Sequence, residues 1–126
     1  MPQMSNVVNA EMNATWIQFL QTKVNSFIKW DLVRFFHDNP HTTDTAENIA
    51  RFVGRDAKTV QYELDGLAKA DVLLTQSISG QRIYRLSDAD ETRQLIREFV
   101  AACHSREFRV KAINCMMDFR HGMTSK

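Results

Sequence analysis

Excess charge of one sign is what this chain most plainly lacks. Sixteen Lys and Arg stand against fifteen Asp and Glu, a formal net charge of +1 over 126 residues. The basic balance that marks many nucleic-acid binders is missing. It is missing locally too, since residues 27–86 hold eight basic and eight acidic side chains. Any surface for a polyanion must come from how those charges are arranged. Long apolar runs are also missing. The most apolar segment, 27–36, is interrupted by Lys29, Asp31 and Arg34, so no membrane span is expected. The opening MPQMSNVVNAEMN has neither the positive charge nor the apolar centre of a signal peptide. Both absences point to the cytoplasm, and a small single-domain chain suits a prokaryote. Cysteine is scarce. Cys103 and Cys115 are expected on one helix, about 18 Å apart at the standard rise. That is beyond disulfide reach, so two reduced, half-buried thiols are expected. There are four glycines, and none forms a phosphate-binding loop. No metal-ligand pair or nucleophile motif stands out, so neither an enzyme nor a cofactor is expected.

What is present is an ordinary globular composition, 44% hydrophobic and 25% charged, enough for one domain with its own core. Residues 1–11 read as a polar tail. From about Met12 the apolar residues Trp16, Ile17, Leu20, Val24, Phe27 and Ile28 recur at steps of three and four. The pattern runs on through Leu32, Phe35 and Phe36 and stops at Asn39-Pro40, where proline cannot continue a helix. One bent helix or two meeting near Asn25-Ser26 both fit, with Ser26 as a cap for the second. Trp16 to Leu20 suits packing on its own domain or on a second subunit.

His41 to Asp44 reads as a loop. Thr45 or Asp44 then caps a helix whose apolar face is Ala46, Ile49, Ala50 and Val53, with Glu47 in its first turn and Gly54 at its end. Asp56 caps the next helix. Val60, Leu64 and Leu67 face its core side, and Lys58, Tyr62, Asp65 and Lys69 lie opposite, flanked by Thr59 and Gln61. This helix ends near Ala70-Asp71. Leu73–Ile78 and Gln81–Leu86 read as strands joined by Ser79-Gly80, a hairpin signal. That turn sets Ser77 opposite Arg82 and Thr75 opposite Tyr84. It directs Leu73, Tyr84 and Leu86 inward.

Ser87 opens the last helix, spanning 88–121, with Asp90 as its capping-box partner. Leu95, Ile96, Phe99, Cys103, Val110, Ile113, Met116, Met117 and Phe119 form a long stripe on it, with a bend or break at Ser105-Arg106. At about 45 Å the helix outruns a small core, so its distal half calls for a partner. Trp16, Leu20, Phe99, Cys103, Val110, Ile113 and Met117 are the expected dimerisation residues. Residues 122–126 read as a tail.

The stretch TAENIARFVGRDAKTVQYELDGLAKADVLLTQSISGQRIYRL resembles the winged helix-turn-helix of small prokaryotic transcriptional regulators, in the range of the ArsR-like and MarR-like families. The residues carrying the resemblance are Thr45-Ala46-Glu47, Ile49-Ala50, Gly54, Thr59-Val60, Leu64, Leu67, Ala70 to Leu73 and Tyr84-Arg85-Leu86. It covers about a third of the chain directly. It implies a mostly α (α+β) fold: a winged helix-turn-helix with a two-stranded wing, within 12–87, between long N- and C-terminal helices. It further implies a homodimer that binds double-stranded DNA sequence-specifically. By position, Lys58, Thr59, Gln61 and Tyr62 become the groove-facing side chains, and Arg55 and Arg82 the phosphate contacts. Gln pairs with adenine, Lys reaches guanine acceptors, and Tyr or Thr touches phosphate or a thymine methyl.

Two other readings remain. Neutral charge and the acidic Glu63 and Asp65 on the third helix suit a winged helix used for protein contact without DNA. A metal- or ligand-sensing repressor is the lesser alternative. Its candidates are Cys103-His104 and the set Cys115, Asp118 and His121, which fit no tetrahedral zinc signature. The methionines and aromatics also suit a small-molecule effector pocket, though Met more often fills core gaps.

Overall fold

The N-terminal apolar run divides at Ser26. In the computed structural model, which describes residues 14–124 and side chains through residue 117, α1 (Ala14–Gln18) passes into a π-helical turn, Phe19–Lys23. The amide of Val24 reaches back to the Phe19 carbonyl at 2.8 Å, and the wide turn buries the neighbours Phe19 and Leu20. The chain then breaks, and α2 (Phe27–Asp38) starts afresh with Ser26 as its cap, accepting from the Lys29 amide at 3.0 Å. Of the two arrangements the spacing allowed, the broken one forms. Trp30, Leu32, Val33 and Phe36 make α2 the central core helix.

Thr43–Asp44, expected in a loop, instead forms β1, pairing Thr43 with Arg85 and Asp44 with Tyr84. Two residues are too few to show a period. The result is a three-stranded antiparallel sheet in the order β1-β3-β2, on a mostly helical α+β chain. Asp44 and Thr45 both serve α3 (Ala46–Val53): Thr45 accepts from the Asn48 amide, Asp44 from the Asn48 side chain. Gly54 closes α3 at φ 72°, a conformation glycine adopts without strain. Asp56 caps α4 (Ala57–Lys69) through the Thr59 amide and hydroxyl, both at 3.0 Å. Those hydrogen bonds, the amide's first, hold its carboxyl below the usual range. Val60, Leu64 and Leu67 are fully buried, as their spacing required. Asp71 takes the left-handed conformation after the helix.

β2 (Leu73–Ile78) and β3 (Gln81–Leu86) pair in the expected register, Ser77 with Arg82 and Thr75 with Tyr84. Leu73, Tyr84 and Leu86 point into the core.

The C-terminal region departs most from expectation. The Ser87–Asp90 capping box does not form. The Ser87 amide still bonds to the Val72 carbonyl, which carries the sheet one residue past β3. The buried Ser87 hydroxyl accepts from the Ala89 amide, and α5 (Asp90–Ala102) begins only there, without a side-chain cap. The helix expected over 88–121 is two, divided at the break that Ser105-Arg106 marked. After the turn at Cys103 to Ser105, α6 (Arg106–Thr124) starts with the Ser105 hydroxyl accepting from the Phe108 amide at 3.1 Å. Cys103 therefore closes α5 while Cys115 lies on α6; both are half-buried thiols outside any disulfide.

That turn resets the helical phase. Phe108, Ala112 and Met116, at four-residue steps, are the buried stripe of α6. They pack with the chain's own N-terminal segment, where Trp16 lies 5.6 Å from Phe108 and Gln21 reaches the Cys115 carbonyl. The distal half of the expected helix is thus covered on one side from within. Leu20 and Phe99 are core residues with no surface to offer a second subunit. Trp16, Cys103 and Ile113 pack partly against the same core. Of the seven expected dimerisation residues, Val110 and Met117 are the ones about half exposed. The tail expected over 1–11 and the side chains of Asp118, Phe119 and His121 lie outside the described residues. Among the described residues no helix is long and apolar enough to cross a membrane.

Candidate nucleic-acid interface

Three buried side chains seat α4 on the core, which fixes what it shows outside. Lys58, Gln61 and Tyr62 are exposed, Tyr62 at 74%. Thr59 is exposed too, but its hydroxyl is committed to the Asp56 cap. The two acids of the helix are both occupied. Glu63 turns toward α2, where its Oε1 accepts from the Ser26 hydroxyl at 3.0 Å and lies 3.4 Å from Lys29 Nζ. Lys29 Nζ also donates to Asn25 Oδ1. The stem of Lys29 crosses α4 at Gly66, where a Cβ would stand 2.8 Å from Lys29 Cε. A helix-interior glycine costs about 1 kcal/mol against alanine, and here it makes room for that lysine.

Asp65 fastens the hairpin to the helix. Its Oδ1 accepts from the Tyr84 hydroxyl at 2.6 Å and from Arg82 Nη1 at 2.9 Å. The carboxylate raises the Arg82 guanidinium above its ordinary range. Arg82 is still more than half exposed. Nη1 makes the bond to Asp65, and a guanidinium carries five N–H donors. Arg55 is held by Asp31 of α2 through Nε and Nη2.

These placements sort the six expected residues. Lys58, Gln61 and Arg82 come together on a groove of about 310 Å³ between the starts of α3 and α4 and the hairpin. Thr45, Glu47 and Gln81 line it as well, and none of these was expected. Gln81 was legible from the hairpin register, which puts it opposite Ile78 beside the turn. Glu47 was visible only as a first-turn carboxylate. Tyr62 and Arg82 share a second groove of about 530 Å³ with Lys29 and Lys69. Arg55 and Thr59 line neither groove.

Comparison with protein-family models, curated proteins and solved structures finds no match for the chain.

The remaining candidates stand apart from these grooves. Among the described residues no three His, Cys, Asp or Glu side chains converge as metal ligands. Burial pushes the Cys103 thiol up to about 11, so it stays protonated and unreactive near neutral pH.

The Glu63 network has a measurable role in holding α4 against α2. Glu63→Ala takes the carboxylate from a largely buried ammonium, which keeps Asn25, and from the Ser26 hydroxyl. It is expected to cost about 1–2 kcal/mol, between the values of an exposed and a fully buried pair. Urea unfolding reads this directly, and a loss near zero removes Glu63 from the structural account.

Proposed function

We propose that this chain is a winged helix-turn-helix regulator that binds double-stranded DNA. In this reading α3 and α4 are the helix-turn-helix, α4 is the recognition helix, and the β2–β3 hairpin is the wing. The observation that carries it is the outward face of α4. Lys58, Gln61 and Tyr62 are exposed on it, while Glu63 is turned inward and Asp65 is bound beneath the wing. A helix in the major groove needs such a face, with donors and acceptors directed outward at the base edges. Lys58 and Gln61 read base edges; Arg82 and Gln81 meet the backbone from the wing. As a two-fold dimer it spans half-sites about 34 Å apart, or a multiple.

Fluorescence anisotropy with random-sequence duplex DNA tests this. Binding is expected at about 50 mM salt and is expected to weaken steeply by about 200 mM. Lys58→Ala and Arg82→Ala are each expected to weaken binding to all sequences and to reduce the salt slope by about one unit. An unchanged slope in both variants removes those contacts. No binding at low salt selects the second reading, a winged helix for protein contact. The carboxylate partners of both Arg55 and Arg82 favour that reading.

A further inference from the structure

Two of the chain's strongly exposed phenylalanines, Phe27 and Phe52, belong to one surface built on α2 and α3. Phe27, Asp31 and Phe35 follow at four-residue steps along α2 and so share a stripe. The ring of Phe52, on α3, stacks on Phe35 with centroids 5.8 Å apart and planes at 27°. Arg55 lies on Asp31 beside them. Phe52 is 70% exposed and Phe27 is 51% exposed. At the Phe27 end the stripe opens on a recess of about 280 Å³, where Phe27, Met116 and Met117 form an apolar wall beside Asn25 and Ser26. A cavity of roughly 150 Å³ holds a benzene molecule, so a phenyl ring fits. None of the five stripe residues lines the groove between α4 and the hairpin, so both surfaces can be covered at once.

We propose that this stripe is a self-association surface, and that its occupant is a second copy of the chain. The charge pattern selects that occupant. The stripe carries one acid and one base side by side and no net charge, so a strongly acidic or basic partner gains nothing from it. Across a two-fold axis residue i meets j and j meets i. An antiparallel copy then places its Arg55 on this Asp31, and its Asp31 on this Arg55. The same operation carries each Phe52 toward the other copy's recess beside Phe27, about 12 Å along α2 from Phe35. An aromatic anchor entering a pocket beside exchanged Arg–carboxylate pairs is the composition that dominates protein–protein contacts. The surface rests on these placements and not on DNA binding. It also differs from the dimer face expected from the terminal helices, where Leu20 and Phe99 are internal.

Sedimentation velocity over a concentration series up to about 100 μM tests the surface, with circular dichroism confirming that each variant folds. Wild-type protein is expected to dimerise. Phe52→Asp is expected to raise the dimer Kd by at least about tenfold. Asp31→Arg sets cation against cation, and Arg55→Asp sets anion against anion, so each variant alone is expected to be monomeric. An equimolar mixture of these two restores both pairs and is expected to dimerise again. A monomeric wild type overturns the proposal. So does a mixture that stays monomeric. A dimer that none of the three variants weakens overturns this surface while leaving a two-fold DNA-binding protein intact. DNA binding measured on the same samples reports separately on the regulator reading.

Discussion

Phe99→Ala is expected to lower stability by about 3–5 kcal/mol, the usual cost of emptying a buried phenyl site. Phe99 has no exposed surface and is the hub of an aromatic cluster. Its ring centroid lies 5.0 Å from Trp30, 5.1 Å from Phe19, 6.1 Å from Trp16 and 6.2 Å from Phe108. These four partners come from α1, the π-helical turn, α2 and α6, so no single element can relax to fill the space. Domains of this size have about 5–15 kcal/mol to lose, which leaves the variant close to unfolding at moderate temperature. Urea unfolding at two protein concentrations is the decisive measurement. A ring inside one chain gives a loss independent of concentration. A loss below about 1 kcal/mol, or one that grows on dilution, places Phe99 in a surface shared between subunits.

The contrast between Phe99 and Val60 shows what could be read from the sequence. Val60, Leu64 and Leu67 were legible because one helix's spacing and its Asp56 cap decide which way they face. Ser26, Gly54 and the Ser79-Gly80 turn were legible for the same reason: each acts within four residues of itself. Phe99 was correctly seen as apolar, but its partners lie on elements remote in sequence, and periodicity cannot say whether a stripe meets its own chain or another. The C-terminal helix failed by phase. Val110 and Ile113 continue the α5 spacing on paper, yet the Cys103 to Ser105 turn rotates the register and buries Phe108 and Ala112 together with Met116, the one of the three that the expected stripe included. At the candidate site the types of residue were legible and their partners were not. Glu63 and Asp65 looked like a penalty on the recognition face. Their partners Ser26, Lys29, Arg82 and Tyr84 lie seventeen or more residues away, and only the fold brings them there. Arg55 shows the reverse. It looked available for a phosphate, and Asp31, twenty-four residues earlier, holds it.

Asp65→Ala is the second large effect, expected at about 2–3 kcal/mol. Tyr84 is almost wholly buried and its hydroxyl donates a hydrogen bond to the Asp65 carboxylate. A hydrogen bond to a charged group contributes about 1.5–3 kcal/mol, and the stranded hydroxyl adds its own desolvation cost. The exposed Arg82 arm adds little, since an ion pair open to water is worth under about 1 kcal/mol. Tyr84→Phe removes the hydroxyl and leaves the carboxylate to Arg82, so it is expected to cost less than Asp65→Ala. The same contact imposes a pH dependence whose sign is fixed. Burial first, and the Asp65 carboxylate second, push the Tyr84 phenol up to about 12. In the unfolded chain it ionises near 10. The folded state therefore resists ionisation. This contribution is complete below pH 10 and is lost as pH rises toward 12, by about 1 kcal/mol at pH 11 and about 2 kcal/mol at pH 12. Other groups titrate in that range, so the informative quantity is the wild-type stability minus that of Tyr84→Phe. The difference is expected to shrink between pH 10 and 12, while the late phase of tyrosinate absorbance disappears from the variant. A difference that stays flat across that window removes the Tyr84–Asp65 contact from the account of how the β2–β3 hairpin is held to α4.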